Sequence, residues 1–243
     1  MNPDDMGMKD LEIQAGDHKP LTDIVYEKLK SFIIVGNFAP GERISERNLS
    51  EHMGISTTTI KRALNRLSIE GLVEIQPRKG TYVSRFYLSS IEEIGIIRAA
   101  LEGIAAKLAA AKATDDEIAA LRRQIGFMEM HTESGDLDKL VEANSGFHRM
   151  IREIAKNLYM SQLIKIVHSF DIIVRRRALT DPEEAMRGIN EHKAIFQAIA
   201  DRNGDFAEGL IKEHILRTSR FVVREMKAQI LKKEALAEEE RRL

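Results

Sequence analysis

The alternation of apolar and polar positions between residues 41 and 83 predicts two short helices followed by two short strands. Ser45 has the side chain of an N-cap at the start of the first helix, and Gly54 tolerates a positive φ at its end. Ser56 is the predicted N-cap of the second helix, which ends before Gly71. The apolar face of this second helix comprises Ile60, Ala63, Leu64 and Leu67. Two helices joined by a glycine turn have the spacing of a helix-turn-helix.

The opposite face of the second predicted helix is polar and cationic. At about 100° per residue, that face carries Thr58, Lys61, Arg62 and Asn65. Hydroxyl, amide and cationic groups are the ones that bind base edges and phosphates. The face therefore favours a sequence-specific DNA-binding helix. An ordinary helical hairpin with a surface turn is the alternative.

Residues 72–84 follow with the composition of a β-hairpin. The segments LVEIQ and GTYVS contain β-branched residues, and the turn Pro77-Arg78-Lys79-Gly80 joins them. Arg78 and Lys79 place positive charge at the tip. A cationic hairpin directly after a helix-turn-helix predicts the wing of a DNA-binding domain.

The remainder of the chain has helical periodicity. Residues 20–35 predict an amphipathic helix that supports the winged domain, and Gly36 ends it. A capping box at Ser90-Ile-Glu-Glu93 starts a second domain, which turns or capping residues divide into about six helices. These dividing positions are Thr114, Gly135-Asp136, Asn157, Asp181-Pro182 and Asn203-Gly204. The predicted fold is mainly α, with an N-terminal winged helix-turn-helix of three helices and a β-hairpin and a C-terminal antiparallel helical bundle.

Four segments follow from this pattern. Residues 1–18 are predicted to be a flexible tail, 19–86 the winged domain, 87–232 the helical domain that binds an effector and dimerises, and 233–243 a charged helical overhang.

Composition agrees with two soluble domains of different charge. The chain has 243 residues, 43% of them hydrophobic, and a formal net charge of −1. Between Lys19 and Arg85 there are 11 basic and 7 acidic residues, so this part carries +4 and the rest about −5. Cysteine is absent, which excludes disulfides and thiolate sites. The polar start and the lack of a long apolar run predict a cytoplasmic protein that does not enter a membrane.

Three histidines occupy apolar positions of the helical domain. His148 lies one turn after Asn144 on the inward face of its helix. His192 and His214 lie about ten residues before and after the Asn203-Gly204 turn, so they are predicted to face each other at the same height. Three imidazoles and one amide oxygen form a plausible shell for zinc, nickel or manganese. Buried histidines bonded to carbonyl groups are the alternative.

Arg98 lies about 50° from the centre of the apolar face of the first helix in this domain. A buried guanidinium needs an anion. Glu102, one turn along, is the ordinary partner, and the carboxylate of a small acid is the functional one. The basic run from Arg175 to Arg177 is expected to be a solvated patch, with one member in the pocket as the alternative. The other histidines, His18, His52, His131 and His168, are expected to be surface or packing residues.

Two other functions remain open for the helical domain. A histidine-rich metal site with an open position could activate water, which would make the domain a metal-dependent hydrolase. The sequence shows no clear inward-facing carboxylate near His148, and Glu142 points away from the centre of the face, which disfavours that reading. Alternatively, the domain could act only as a dimerisation scaffold with a histidine-containing core.

Together these motifs resemble the GntR superfamily of bacterial regulators, specifically its FadR-like branch with an FCD effector domain. The segments Pro40–Arg47, Ile69–Val73 and Gly80–Val83 resemble the winged-helix signature. The FCD resemblance covers Arg98-x3-Glu102, Asn144-x3-His148 before Lys156-Asn157, and the spacing of His192 and His214. The resemblance extends over residues 19 to about 230 and implies a homodimer that binds a palindromic DNA operator. It also implies a metal-assisted pocket whose small organic acid alters DNA affinity.

The resemblance also assigns roles and shows departures. It implies that Arg47 holds DNA, that Ser56, Thr58, Thr59 and Lys61 form the reading end of the recognition helix, and that Arg78 and Lys79 reach the minor groove or phosphates. Thr57 and Thr59 stand where the family usually has arginine and proline, so the operator is expected to differ. Asn144 stands where the family usually has aspartate. A neutral ligand is expected to weaken metal binding and to strengthen the attraction of an anionic effector.

Overall fold

The computed structural model describes residues 20–34, 37–84 and 87–240, without the side chains of residues 34, 87–90, 165–170, 172–173 and 233–240. The predicted flexible tail, the helix end at Gly36 and the final three residues of the overhang therefore lie outside the described residues. So do the side chains of His18, of His168 and of Ser90 in the predicted capping box.

Helices account for most of the described chain, and a small antiparallel sheet accounts for the rest of its regular structure. The helices are α1 (Leu21–Ile34), α2 (Glu46–Met53), α3 (Thr57–Ile69), α4 (Tyr87–Lys112), α5 (Asp115–Ser134), α6 (Leu137–Ile154), α7 (Leu158–Leu179), α8 (Pro182–Ala200) and α9 (Gly204–Glu240). The strands are β1 (Arg43–Ile44), β2 (Val73–Gln76) and β3 (Gly80–Val83), in the order β1-β3-β2. The predicted mainly α fold with a winged helix-turn-helix and a helical bundle is confirmed.

The capping residues of α2 and α3 have the predicted roles. The Ser45 hydroxyl accepts a hydrogen bond from the backbone N–H of Asn48, and Ser56 accepts one from Thr59. Gly54 adopts the left-handed conformation, with φ 66°, which lets the chain turn directly into α3. Ile60, Ala63, Leu64 and Leu67 are buried, as the helical pattern predicted. Local signals therefore fix the helix-turn-helix.

The wing contains one strand more than the sequence pattern predicted. The strands β2 and β3 pair with Val73 opposite Val83 and Gln76 opposite Gly80, which makes the predicted hairpin. On its other side, β3 pairs with β1, where Arg43 lies opposite Tyr82. A strand of two residues is too short to show a period of two in sequence. The third strand joins the segment before α2 to the wing.

A buried cation connects α1 to the end of α3. Lys30 is fully buried, and its Nζ lies 2.5 Å from Glu70 Oε2 and 2.8 Å from the Tyr26 hydroxyl. The Tyr26 hydroxyl also donates to Glu70. Burial lowers the pKa of Lys30, and the hydrogen bond and charge of Glu70 oppose that shift. Glu70 thus stabilises an ammonium group inside the winged domain.

We expect Glu70→Gln to destabilise the winged domain by roughly 2–3 kcal/mol, because it removes the carboxylate that pairs with the buried ammonium of Lys30. Lys30→Met in the same background should restore most of this loss, since the cation is then absent. Hydrogen exchange of the α1 and α3 amides in the full-length chain measures the effect.

Asp23→Asn is the matched control, because it removes the exposed ion pair between Asp23 and Arg66 on the same two helices. Its expected cost is below about 1 kcal/mol. Equal costs for Glu70→Gln and Asp23→Asn would contradict the role given to Glu70.

Contacts between Cα atoms divide the chain into two compact units, one containing the winged domain with residues 225 onward and the other Ile91–Arg224. In the second unit, the core lies between the helices α4 to α9, and its largest fully buried side chain is Phe147. Small residues on α4 allow close helix packing. A Cβ at Gly95 would lie only 2.7 Å from the Ser219 hydroxyl of α9.

The caps of the helical unit also agree with the sequence pattern. Thr114 and Glu117 form a complete capping box at α5, Gly135 ends α5 in the left-handed conformation with φ 67°, and Asp181 caps α8 ahead of Pro182. The helices α4 to α9 are the six predicted from these signals. Within the described residues, none of the helices is long and apolar enough to cross a membrane.

Candidate functional sites

Three predicted histidines meet in the core of the helical unit. The side chains of His148 on α6, His192 on α8 and His214 on α9 each place one ring nitrogen within 4.8 Å of the others. The two Nε2 atoms of His148 and His192 are 3.2 Å apart. Two nitrogens bound to one tetrahedral zinc ion lie about 3.3 Å apart, given Zn–N distances of about 2.0–2.1 Å. The cluster therefore has the dimensions of a metal site.

The Nδ1 atoms of these histidines face protein acceptors. His192 Nδ1 lies 2.6 Å from the Gly188 carbonyl oxygen, and His214 Nδ1 lies 2.6 Å from Glu191 Oε2. Donation from Nδ1–H leaves the lone pair of a neutral ring on Nε2. His148 Nδ1 lies 3.7 Å from Glu102 Oε2, and neither atom has a hydrogen-bond partner. Acceptors behind Nδ1 are the usual partners of metal-bound histidines.

Burial keeps the cluster uncharged. It lowers the pKa of His148 and His192 well below the usual value, and the charges of Arg175 and Arg98 lower that of His148 further. Burial also lowers the pKa of His214, although the hydrogen bond to Glu191 opposes this. All three rings are therefore neutral at neutral pH, as metal coordination requires.

Asn144 lies one turn before His148 on α6 and lines the same pocket. Its side chain is 5% exposed, and its Oδ1 is buried without a hydrogen-bond partner. A buried polar oxygen without a partner costs about 1–3 kcal/mol. An oxygen held at this cost beside three imidazoles is suited to complete a shell of three nitrogens and one oxygen.

Arg98 is buried, but its closest carboxylate is not the one expected from spacing. Its Nη1 lies 2.5 Å from Asp171 Oδ1 on α7, whereas its Nε lies 3.9 Å from Glu102 Oε1 and makes no hydrogen bond. Glu102 pairs instead with Arg152, at 2.7 Å. The predicted i,i+4 ion pair of Arg98 with Glu102 is therefore present at 3.9 Å, and Asp171 is a second and closer partner.

Arg175 is buried, whereas the sequence predicted a solvated basic patch from Arg175 to Arg177. Its side chain is 5% exposed, lines the pocket and donates from Nη2 to Asp171 Oδ2 at 2.6 Å. Burial lowers the pKa of Arg175 to about 10, so it stays a cation at neutral pH. Burial alone would raise the pKa of Asp171, but Arg175 and Arg98 hold it below its ordinary value. Only Arg176 of the basic run is largely exposed.

Buried carboxylates do lie near His148, contrary to the sequence-based argument. Glu102 is fully buried beside His148, and Asp171 lines the same pocket. Glu142, in contrast, is exposed. Each buried carboxylate comes from a helix other than the one that carries His148, so single-helix periodicity could not reveal it.

The histidine cluster lines one pocket together with Asn144, Arg98, Asp171 and Arg175. Apolar side chains such as Val174 and Ile215 share its wall. Its cavity volume is about 20 Å³, enough for about one water molecule, so a larger ligand requires the surrounding helices to move apart. The pocket therefore suits a small polar molecule.

The remaining described histidines lie elsewhere, with His52 exposed on α2 and His131 half-buried on α5.

The predicted DNA-contacting residues form an exposed surface on the winged domain. Nine of them are exposed: Arg47, Ser56, Thr57, Thr58, Lys61, Arg62, Asn65, Arg78 and Lys79. The tenth, Thr59, is half-buried, and its hydroxyl lies 2.9 Å from the Ser56 hydroxyl. Arg47 pairs with Glu51 one turn along α2, at 2.8 Å. The exposed hydroxyl and cationic groups of α3 are thus available to another molecule.

A groove runs between α3 and the wing, lined by Lys61 and Asn65 on one side and by Arg78 and Lys79 on the other. Arg43 of β1 also lines it, a residue that sequence reasoning missed. A Cβ at Gly80 would lie 3.0 Å from Arg43 Nε, so the glycine leaves room for this guanidinium. Arg43 adds a cation to the groove.

Two family profiles match the chain. Residues 21–83 match the gntR family of bacterial regulatory proteins, and residues 93–217 match the FCD domain. The first range contains α1 to β3, and the second contains all four candidate metal ligands.

Several proteins are similar to this chain over most of its length. The uncharacterized HTH-type transcriptional regulator YdhC of Bacillus subtilis is 29% identical over 79% of this chain and 84% of its own length. The HTH-type transcriptional repressor RspR of Escherichia coli is 26% identical over 87% of this chain and 93% of its own length. The solved structure of E. coli McbR/YncC has the same fold, with a TM-score of 0.63 and 22% identity over 85% of this chain and 99% of that one.

Proposed function

Because this chain belongs to the gntR family of bacterial regulatory proteins and carries an FCD domain, we propose that a small organic acid controls its binding to DNA. The chain is a transcriptional regulator with a helix-turn-helix DNA-binding domain and an FCD effector domain, and its family is one of regulators and not of enzymes. In our proposal, a divalent metal ion and the acid bind in the FCD pocket, and a homodimer binds an inverted-repeat operator in the bacterial cytoplasm.

The convergence of His148, His192 and His214 supports the effector part most strongly. The three imidazoles place one ring nitrogen each within 4.8 Å of the others, and the partnerless Asn144 oxygen lies in the same pocket, so a divalent cation would find three nitrogens and one oxygen as ligands. These four residues would hold zinc, nickel or manganese, since a histidine-rich shell does not discriminate strongly among them. When bound, the ion supplies a Lewis-acidic centre that attracts an anionic oxygen. A scaffold-only domain would not require this cluster.

Arg98 would bind the carboxylate of the acid next to this centre. Its Nε has no hydrogen-bond partner, while its Nη1 is held by Asp171. A guanidinium fixed at one edge and free at another is positioned to donate charge-assisted hydrogen bonds to a ligand. Asp171, Arg98 and the metal ligands lie on α4, α6, α7, α8 and α9. A ligand that contacts several helices can favour one arrangement of them.

Two winged domains in a homodimer would place their α3 helices in successive major grooves of an inverted repeat. The effector would change the spacing of these helices and hence the affinity for DNA, and by linkage DNA would change the affinity for the effector equally. We propose that binding of the operator represses transcription, as the name of the similar transcriptional repressor RspR indicates for that protein.

The proposal is tested by selecting duplexes from a random DNA pool with the full-length protein and footprinting the selected sequence. We expect one protected inverted repeat and a stoichiometry of two chains per duplex, with binding that weakens steeply as salt increases. Metal analysis of dialysed protein should find about one ion per chain. No protected inverted repeat at any salt concentration would overturn the operator assignment, and metal below a tenth of an equivalent, even after zinc is added, would overturn the metal site.

We expect Asn144→Asp to strengthen zinc binding by about 10-fold or more, because an anionic carboxylate replaces a neutral amide as a ligand of a dication. Competition with a chelating zinc indicator measures the dissociation constant. Asn203→Asp is the matched control, since the same change falls on an exposed helix cap that caps equally well with either residue. An unchanged zinc affinity in Asn144→Asp would place this residue outside the metal shell.

A further inference from the structure

Arg175 has hydrogen-bonding capacity that the protein does not use. Its guanidinium is 5% exposed, and Asp171 accepts from its Nη2, but its Nη1 is buried without a partner. Arg98 forms an ion pair with the other oxygen of Asp171, with Nη1 2.5 Å from Oδ1, and its Nε is buried without a hydrogen-bond partner. One carboxylate thus positions two guanidinium groups beside one pocket, and each has an N–H donor without a hydrogen-bond partner. Two cations with free donors can bind two carboxylates.

The charged side chains that line the pocket leave a small positive excess before any ion or ligand binds. They are three arginines and two carboxylates, a net charge of +1: Arg98, Arg175, Arg217, Asp171 and Glu184. Coordinating histidines are neutral, and so is the Asn144 amide. A divalent ion held by these ligands would therefore keep its full charge of +2. With aspartate at position 144, the site would keep only +1.

We infer that the effector of this chain is a dianion, a short dicarboxylic acid with one carboxylate at the metal and Arg98 and the other at Arg175. The inference rests on the proposed function, since it assumes the metal and effector site described above. Two negative charges neutralise the ion completely, and the partnerless donors of Arg98 and Arg175 give each carboxylate a guanidinium. The cavity volume is about 20 Å³, so only an acid with a short chain can be admitted as the helices adjust. Arg175 is then the residue that determines specificity for the second carboxylate.

The experiment compares L-malate with 2-hydroxybutyrate, which has the same four-carbon 2-hydroxy acid skeleton but a methyl group in place of the second carboxylate. Titration calorimetry on the zinc-loaded full-length protein measures both dissociation constants. We expect malate to bind about 10- to 100-fold more tightly, because hydrogen bonds to a charged group typically increase the affinity by this factor. Succinate and butyrate form a second pair without the hydroxyl group.

Variants of Arg175 and Asn144 test the assignment directly. Arg175→Gln should lower the affinity for malate to the affinity for 2-hydroxybutyrate. It should leave the affinity for 2-hydroxybutyrate and the zinc content unchanged. Arg175→Lys should restore part of the difference in affinity between the two acids. Asn144→Asp leaves Arg175 in place and should reduce the preference for malate about 10-fold or more, because one charge of the ion is neutralised.

The outcomes separate the two proposals. Equal binding of malate and 2-hydroxybutyrate to the wild-type protein, or an equal loss of both in Arg175→Gln, would overturn the dianion inference while leaving the metal-assisted effector site intact. Failure of all four acids to bind zinc-loaded protein would overturn both.

Discussion

Replacement of His192 by alanine is expected to weaken zinc binding by more than about 100-fold. Loss of a hydrogen-bonding partner of a metal-bound histidine typically costs about 10- to 100-fold, and loss of the ligand itself costs more. His192 is fully buried, its Nε2 lies 3.2 Å from that of His148, and its ring is held by the Gly188 carbonyl. This histidine cannot move aside to be replaced by solvent without a change in the core. Competition with a zinc chelator measures the affinity.

Two further variants make this result specific. His214→Ala should have a similar effect at a position nearer the surface, where the side chain is 7% exposed and truncation disturbs packing less. His131→Ala, on α5 of the same domain and outside the cluster, should leave zinc affinity unchanged. A zinc affinity in His192→Ala and His214→Ala equal to that of His131→Ala would show that the histidines are packing residues only.

The parts of this site that could be predicted from sequence are those fixed by local geometry. The Asn203-Gly204 turn and a rise of about 1.5 Å per residue determine that His192 and His214 reach the same height on antiparallel helices. Asn144 and His148 share a face because they are four residues apart. Cap residues such as Thr114 and Asp181 determined where helices begin. Each of these inferences needed only one helix or one turn.

The parts that could not be predicted depend on which helices become neighbours. Asp171 on α7 forms an ion pair with Arg98 on α4, and Arg152 on α6 forms one with Glu102 on α4. Charged residues on a single helix are usually solvated, so Arg175 in a run of three arginines was interpreted as surface. The spacing of Asp171 and Arg175, with Val174 and Ala178 beside them, is a signal that the run faces inward. The partner of each charge still requires the tertiary fold.

The same contrast holds in the winged domain. The recognition helix and the hairpin could be predicted from caps, periodicity and turn chemistry. Arg43 could not, because it lines the groove from β1, a strand of two residues. Its place depends on pairing between β1 and β3, which are far apart in sequence. Long-range strand pairing has no local signature at this length. Cations that the fold brings into the groove are therefore easier to miss than those on the helix.

Reversing the charges of Lys61 and Arg62 is expected to reduce operator affinity about 1000-fold or more. Each contact from such a cation to a base or phosphate is worth about 1–3 kcal/mol, and glutamate adds repulsion from the DNA backbone. Both side chains are exposed on α3, and Ile60, Ala63 and Leu64 beside them stay buried, so the fold should be unaffected. Fluorescence anisotropy with the selected operator measures the dissociation constant at several salt concentrations.

The salt dependence of binding distinguishes the loss of phosphate contacts from a weaker electrostatic attraction by the whole protein. Removing two phosphate contacts per protomer should reduce the slope of log affinity against log salt by about two for each protomer bound. Arg123→Glu with Arg149→Glu is the matched control, because these exposed cations of the FCD domain give the same change in net charge. If α3 contacts DNA, the control variant should bind the operator with an affinity within about 10-fold of that of the wild type. Its slope of log affinity against log salt should equal that of the wild type. An equal loss in both double variants would mean that net charge, and not the surface of α3, determines binding.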